Sequence, residues 1–190
     1  MFLVFIKPIY IFIMALVLAI LEVQIEGAHG WAANLPTWRP GDNRWYVRIY
    51  KKIMSEKDLT GYHLAMFSFV LLIFHLPFFF GALWSVAEEL EVWSLFFLFI
   101  VIWDYLWFVV NPHFTIRNFK GDHIFWHKKW IGRFPADYWF SVFFSFLLAI
   151  AVNFFFCPRY IIEWFIMFGT FLFLTWLTKV LIKKFKPEWE

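Results

Sequence analysis

Residues 92–110 read VWSLFFLFIVIWDYLWFVV, a run that is apolar or aromatic at every position except Ser94 and Asp104. A helix needs about 20 such residues to cross the roughly 30 Å hydrocarbon core of a bilayer. Asn111 and Pro112 follow, and a proline disfavours helix for the residue before it. The run therefore predicts a transmembrane helix that ends at Val110 and carries one ionisable side chain inside it.

Four further apolar segments flank this run, and the whole chain is 63% hydrophobic with a mean hydropathy of +0.67. An average soluble domain is only about 45–50% apolar. The predicted spans are residues 2–21, 62–84, 92–110, 138–156 and 160–182. The expected fold is an all-α integral membrane protein, a five-helix transmembrane bundle that forms one polytopic domain over residues 1–190.

The basic residues predict the orientation of this bundle. The connections at residues 22–61 and 111–137 and the C-terminal segment hold nearly all Lys and Arg residues, which leaves Lys7 and Arg159 for the other side. Cytoplasmic loops carry the excess of Lys and Arg. We therefore expect an outside N-terminus, a cytoplasmic C-terminus and two long cytoplasmic connections, in a prokaryotic inner (plasma) membrane.

Shorter features lie between the predicted spans. Residues 44–53 (RWYVRIYKKI) alternate apolar and basic side chains, which favours either an amphipathic helix on the inner leaflet or a solvated basic loop. Residues 85–91 contain three glutamates and are expected to form a short acidic turn at the outer side.

Asp104 is the strongest candidate for a functional residue. It lies six residues before the inner end of its predicted span, which is about 9 Å deep at 1.5 Å per residue. A charge inside a membrane costs about 2.5–3.5 kcal/mol on insertion scales. We therefore expect Asp104 to be paired, protonated or bound to a cation.

Acids and imidazoles predicted near the same membrane face suggest a metal site. Glu22, Glu26 and His29 are spaced i, i+4, i+7, so they share one face if the first helix extends that far. Glu26-x-x-His29 has the spacing of the two-metal carboxylate sites in helical bundles, although Gly27 and Gly30 lower helix stability there.

His123 and His127 form a second such pair, spaced i, i+4, and could reach one ion from a helix. The competing interpretation is an interfacial belt, because Trp126 and Trp130 lie beside them. The predicted metal ligands are Glu22, Glu26, His29, Asp104, His123 and His127, and His63 at the start of the second span is a further candidate.

The remaining site predictions concern catalysis and substrate contact. Asp104, Glu26 and His113 are predicted to be catalytic, and Asn111, Arg39 and Trp31 to contact the substrate. The expected cofactor is a divalent metal, iron or zinc. No nucleotide cofactor is expected, because the sequence has no Walker-A loop.

These patterns favour an integral membrane enzyme with a cytoplasm-facing metal site that acts on a lipid or another hydrophobic substrate. The alternative is a non-catalytic binder or transporter of a small apolar ligand such as a lipid, sterol or tetrapyrrole. A haem protein is a third hypothesis, but His63 and His75 would lie about 18 Å apart on one helix. Nucleic acid is not an expected partner, because its aromatic platforms need a soluble basic groove.

Overall fold

The computed structural model of the chain describes residues 2–114 and 116–186. Its longer helices are α1 (Ile6–Glu26), α2 (Trp45–Ile53), α3 (Gly61–Phe79), α4 (Val86–Val110), α5 (Ala136–Phe155) and α6 (Tyr160–Phe185). Short 3-10 turns lie at Phe2–Phe5 and Ile116–Asn118, and a hairpin pairs β1 (Trp130–Ile131) with β2 (Phe134–Pro135). Residues 1, 115 and 187–190 of the predicted domain lie outside the described residues.

Five of these helices, α1 and α3 to α6, are long and apolar enough to cross a membrane, which confirms the predicted class of helical membrane bundle. The helix of the first predicted span extends beyond residue 21, because α1 continues through Glu22 to Glu26, and the membrane boundary stays a prediction. Gly27 then ends the helix with a φ of +62°, a backbone conformation that residues with a Cβ rarely adopt.

The predicted acidic turn at residues 85–91 is wrong, because α4 already begins at Val86. The Ser85 hydroxyl accepts a hydrogen bond from the backbone N–H of Glu88 at 3.2 Å, which caps the helix. Glu88 and Glu89 then lie in the first turn, where carboxylates interact favourably with the helix dipole. Capping thus adds nearly two turns to the apolar helix expected from hydropathy.

Helix α4 is the centre of the bundle. In the most apolar 18-residue stretch of α4, 67% of the residues are buried, whereas the same fraction is 17% for α3 and for α6. Helix α4 also packs against all four of the other long helices. Ser94 and Ser145 let α4 and α5 approach closely, since each hydroxyl bonds the other residue's carbonyl, at 2.9 and 2.7 Å. Small residues have this role at many membrane helix contacts.

Two predicted helices outside the bundle have different outcomes. Residues 45–53 do form a helix, α2, whose contact with a leaflet stays a prediction. The helix expected to carry His123 and His127 is absent, because the backbone N–H groups of His123 and Ile124 both bond to the carbonyl of Lys120, forming a turn. Gly121 in this turn packs so tightly on the Trp130 ring that a Cβ would lie 2.9 Å from it.

The end of α1, the start of α3, the end of α4 and the start of α5 lie together at one end of the bundle. We call it the basic end, because the connections at residues 27–60 and 111–135, which hold most of the Lys and Arg residues, lie there. An apolar crevice of about 380 Å³ opens between α4, α5 and α6 near the same end.

Candidate metal centre

Glu22, Glu26 and His63 face one another inside the basic end, and we call them the ligand triad. Their exposed fractions are 7%, 7% and 3%. The Nε2 atom of His63 lies 3.8 Å from Oε1 of Glu22 and 3.7 Å from Oε1 of Glu26. These separations exceed the range of a hydrogen bond, so three buried polar groups converge without bonding to each other.

Helix geometry places each member of the ligand triad. Glu22 and Glu26 are four residues apart on α1 and therefore share a face. His63 lies in the first turn of α3, where Thr60 is the N-cap and its hydroxyl accepts a hydrogen bond from the His63 backbone N–H at 3.2 Å. The same hydroxyl lies 2.7 Å from His63 Nδ1.

In the tautomer that metal coordination requires, Nδ1–H donates to Thr60 and the Nε2 lone pair faces the two carboxylates. The ligand triad then has three lone-pair donors around one point. An ion bound tetrahedrally at about 2.0 Å separates its ligand atoms by about 3.3 Å. The two separations from His63 are therefore a few tenths of an ångström wider than coordination needs. The ligand atoms of all three residues lie within 4.8 Å of one another, so side-chain rotation would have to bring them closer around an ion.

A cavity of about 10 Å³ adjoins the ligand triad and is lined also by Asp104 and Trp107. That volume suits a single water or ion. The indole N–H of Trp107 is buried and has no partner among the described residues. A polar group without a partner is costly inside a protein, so the cavity offers both acceptors and a donor to a bound species.

Trp31 covers the ligand triad. Its ring stacks on the His63 imidazole at a centroid distance of 3.8 Å and an angle of 15°, and its Nε1–H donates to the Asp58 carbonyl at 2.7 Å. Trp31 and Ala32 have φ values of +57° and +52°, which are unusual for residues with a Cβ. This strained turn directs the Ala32 backbone N–H to the Glu26 carboxylate.

Asp58 is itself anchored, which fixes the acceptor of the Trp31 indole. The ammonium of Lys51, on α2, lies 2.7 Å from Asp42 and 2.9 Å from Asp58. The hydrogen bond to Asp42, and after it the hydrogen bond to Asp58, raises the pKa of Lys51 above its ordinary value of 10.5. Since Lys51 is then charged at neutral pH, the contacts between α2 and Asp58 are constant across the physiological range.

A second cluster, which we call the charged network, lies beside the ligand triad. It consists of Lys57, Asp104, His127, Asp137 and Tyr138. Lys57 is 3% exposed, and its ammonium lies 2.8 Å from Asp137 and 4.0 Å from Asp104. The two nitrogens of His127 lie 3.2 Å from Asp104 and 3.3 Å from Asp137, and the Tyr138 hydroxyl donates to Asp104.

Each nitrogen of His127 faces a carboxylate oxygen, which only accepts hydrogen bonds, so an N–H at either position donates to a carboxylate. Lys57 contacts the same two carboxylates, so Asp104 and Asp137 have a cationic partner. The two carboxylates of the ligand triad remain without a cationic side chain in direct contact among the described residues. Two carboxylates and one imidazole in this arrangement form a group that could hold a metal ion.

A cavity of about 40 Å³ joins the ligand triad to the charged network. Glu22, His63, Lys57, Asp104 and Tyr138 all contribute to its wall. This volume holds a few water molecules. A species bound by the ligand triad would therefore share one polar cavity with the carboxylate of Asp104.

The structure brings only some of the predicted site residues together. Glu22, Glu26, Asp104, His127 and Trp31 all lie in the ligand triad, the charged network or the cover over them. Their predicted roles in catalysis, metal binding and substrate contact stay predictions.

The other predicted residues lie elsewhere. His29 is exposed, since α1 ends before it, so the Glu26-x-x-His29 geometry is not formed. His123 is exposed and lies 3.7 Å from Asp122, and the imidazole of His113 is exposed. The Asn111 side chain donates to the Gly27 carbonyl at 2.8 Å, and Arg39 donates to the Ala32 carbonyl. Both therefore hold the connections in place.

The sequence alone did not reveal Lys57, Asp137 and Tyr138 as site residues. Lys57 reads as one of many basic residues that set orientation, and Asp137 as an ordinary acid in the first turn of a helix. One pattern could have indicated Asp137. It lies at the start of a predicted membrane span, as Asp104 lies near the end of another, and both positions are at the same predicted side of the membrane.

No protein-family model, curated protein or solved structure matches the chain.

Proposed function

We propose that the chain is an integral membrane enzyme that holds one divalent metal ion, iron or zinc, in the ligand triad and acts on a lipid or another hydrophobic molecule. The observation that carries this proposal is the convergence of Glu22, Glu26 and His63, which are buried and have no cationic side chain in direct contact among the described residues. The His63 nitrogen also lies too far from either carboxylate for a hydrogen bond, so all three groups can offer a ligand atom to an ion. We further propose that the basic end, and with it the site, faces the cytoplasm of a plasma membrane.

The donor set supports the choice of metal. Two carboxylates and one imidazole, without thiolate, suit iron or zinc among the common metals. Three protein ligands also leave coordination positions open, as catalytic sites require. Such an ion would lower the pKa of a bound water or activate oxygen.

The charged network supplies a group that could orient a water or a substrate beside such an ion. Asp104 faces the shared cavity and accepts hydrogen bonds from Tyr138 and His127. Asp137 and Lys57 fix His127 from the other side. We propose that Asp104 acts in catalysis by orienting a water or a substrate group beside the ion, because it combines access to the cavity with an anchored orientation.

Elemental analysis of protein purified in detergent tests the metal. We expect about one iron or zinc ion per chain, as a mononuclear site with three protein ligands would hold. Glu22→Gln, Glu26→Gln and His63→Gln should each remove most of that ion. Glu88→Gln and His113→Gln are matched controls, since both residues are exposed and outside the site. Metal-free wild-type protein after purification without chelator, with no uptake on titration, would overturn the proposal.

A non-catalytic binder of a lipid or other apolar ligand is the second candidate function. The crevice between α4, α5 and α6 favours it, because about 380 Å³ is within the range of small-molecule sites. A binder needs the crevice but not the ion, so protein that retains an apolar ligand without a metal would support it.

A further inference from the structure

The crevice between α4, α5 and α6 has the features of a lipid site. Its walls are mostly aromatic and aliphatic, and they include Val142, Phe168 and Leu172. Leu172 and Trp176 are more than half exposed, so the crevice opens to the side of the bundle, where lipid surrounds a membrane protein. Apolar walls alone would fit any hydrophobic partner, but two polar groups in the crevice indicate which kind of lipid it could bind.

The first of these groups is the Thr175 hydroxyl. Thr170 and Thr178 on the same helix donate to the carbonyls four residues earlier, at 2.7 and 2.8 Å. Thr175 is only 8% exposed, yet its hydroxyl has no partner among the described residues, and it lines the crevice. A buried hydroxyl of this kind calls for a hydrogen-bonding ligand.

The second group is the Lys179 ammonium. Lys179 lies four residues after Thr175, so the two side chains share one face of α6. It is exposed, also lines the crevice, and forms no ion pair with any residue in the described part of the chain. The polar end of the crevice is therefore cationic, and it lies at the basic end of the bundle.

The crevice also matches one leaflet in length. Residues 168–179 of α6 extend over about 16 Å at 1.5 Å per residue. The hydrocarbon core is about 30 Å thick, so the apolar wall covers about one leaflet, with Lys179 near the headgroup level. A lipid of that leaflet could place its acyl chain along Phe168 and Leu172 and its headgroup at Lys179.

The crevice and the polar cavity share a wall. Val101 and Tyr138 line both, and the Tyr138 hydroxyl donates to Asp104 inside the charged network. The Tyr138 side chain therefore lies between the crevice and the cavity that adjoins the candidate metal centre.

We infer that this crevice binds an anionic phospholipid of the leaflet at the basic end, with its phosphate on Lys179, a glycerol or ester oxygen on Thr175, and an acyl chain along Val142 and Leu172. The inference names the substrate class of the proposed enzyme and rests on that proposal for any chemistry, but not for binding.

Photocrosslinking tests the binding. The full-length protein is reconstituted in phosphatidylcholine nanodiscs that contain a small fraction of phosphatidylglycerol with a diazirine on its acyl chain. We expect adducts on α5 and α6 residues of the crevice, and we expect Val142→Trp, which fills the crevice, to lower their yield several-fold. Val180→Trp is the matched control, because Val180 is exposed on α6 and lies outside the crevice.

The headgroup requirement is tested with charge variants. Lys179→Gln should lower the adduct yield several-fold, whereas Lys184→Gln, at the same end of α6 but outside the crevice, should not. An equal yield from a phosphatidylcholine probe, or equal yields for the two lysine variants, would overturn the inference. So would a dimer that Val142→Trp dissociates, since a second copy would then cover the crevice.

Metal content, measured on the same samples, separates the two proposals. Crevice adducts in protein that binds no metal would support the lipid site and contradict the metal enzyme. A full metal content together with crevice-independent labelling would support the metal centre and contradict the lipid site.

Discussion

Lys57 shows how strongly one residue in this protein depends on its partners. The ammonium is almost completely buried, lies over the Trp31 ring at 4.4 Å, and contacts Asp137 at 2.8 Å. A buried ion pair adds little net stability, because both ions lose their hydration. Removing one partner is different, since the other charge then stays buried without compensation.

We expect Lys57→Met to lower the free energy of unfolding by about 3–5 kcal/mol, because it leaves the carboxylates of Asp104 and Asp137 without their lysine partner. Chemical unfolding in detergent, followed by circular dichroism, measures this loss. The control is Lys129→Met, which removes a pair with Glu56 at 4.0 Å in which both side chains are exposed, and it should cost less than about 1 kcal/mol.

The double variant, which combines Lys57→Met with Asp137→Asn, should recover part of the stability lost in Lys57→Met, because it removes the carboxylate that lost its partner. Equal effects of the Lys57 and Lys129 variants would contradict the buried network as described.

At the scale of single elements, Thr60 has two distinct roles. It caps α3 through the His63 backbone N–H, and its hydroxyl orients the His63 ring through Nδ1. Ser85 has the first role only, since it caps α4 at the opposite end of the bundle.

Thr60→Val and Ser85→Ala should each cost about 1 kcal/mol of stability, the usual value of a lost N-cap. Only Thr60→Val should also weaken metal binding, by about 10–100-fold, because residues that orient a ligand contribute that much to affinity. Competition with a chelator of known affinity measures the difference.

Thr60→Ser keeps the hydroxyl and should retain wild-type metal affinity. A metal affinity that Thr60→Val leaves unchanged would show that His63 needs no orienting partner.

The helices that hydropathy defines could be predicted from the sequence, whereas the turns that side-chain packing defines could not. Hydropathy located the five long helices, since burial in lipid dominates there. It ended the first span at residue 21, because Glu22 is polar, whereas α1 continues to Glu26 and buries both glutamates in the site. The turn at His123 could not be predicted from an i, i+4 pattern, because packing between Gly121 and Trp130 determines it.

The candidate site was predictable only in outline. Asp104, Glu22 and Glu26 are polar in apolar surroundings, and this contrast identified them. Lys57 and Asp137 lie at the ends of polar segments, where such residues are ordinary, and only tertiary packing buries them. Their pairing across 80 residues of sequence leaves no local pattern.

At the scale of the whole molecule, orientation in the membrane is the main prediction. Cys157, the only cysteine in the sequence, lies between α5 and α6, at the end of the bundle opposite the basic end. If the basic end is cytoplasmic, Cys157 faces outside. In intact cells, a membrane-impermeant maleimide should then label it.

The control carries Cys157→Ser and Lys120→Cys, which moves the thiol to an exposed position in the connection between α4 and α5. This variant should be labelled only after the membrane is opened. The reverse pattern would show that the basic end faces outside.

The stack of Trp31 on His63 also bears on how fast the centre exchanges its contents. Since the same strained turn holds Glu26 through Ala32, this segment contacts two of the three members of the ligand triad. The dissociation rate of an ion would then depend on the opening of the segment as well as on the strength of the metal bonds. Residence time and affinity would thus depend in part on different residues, and competition with a chelator would reach equilibrium only slowly.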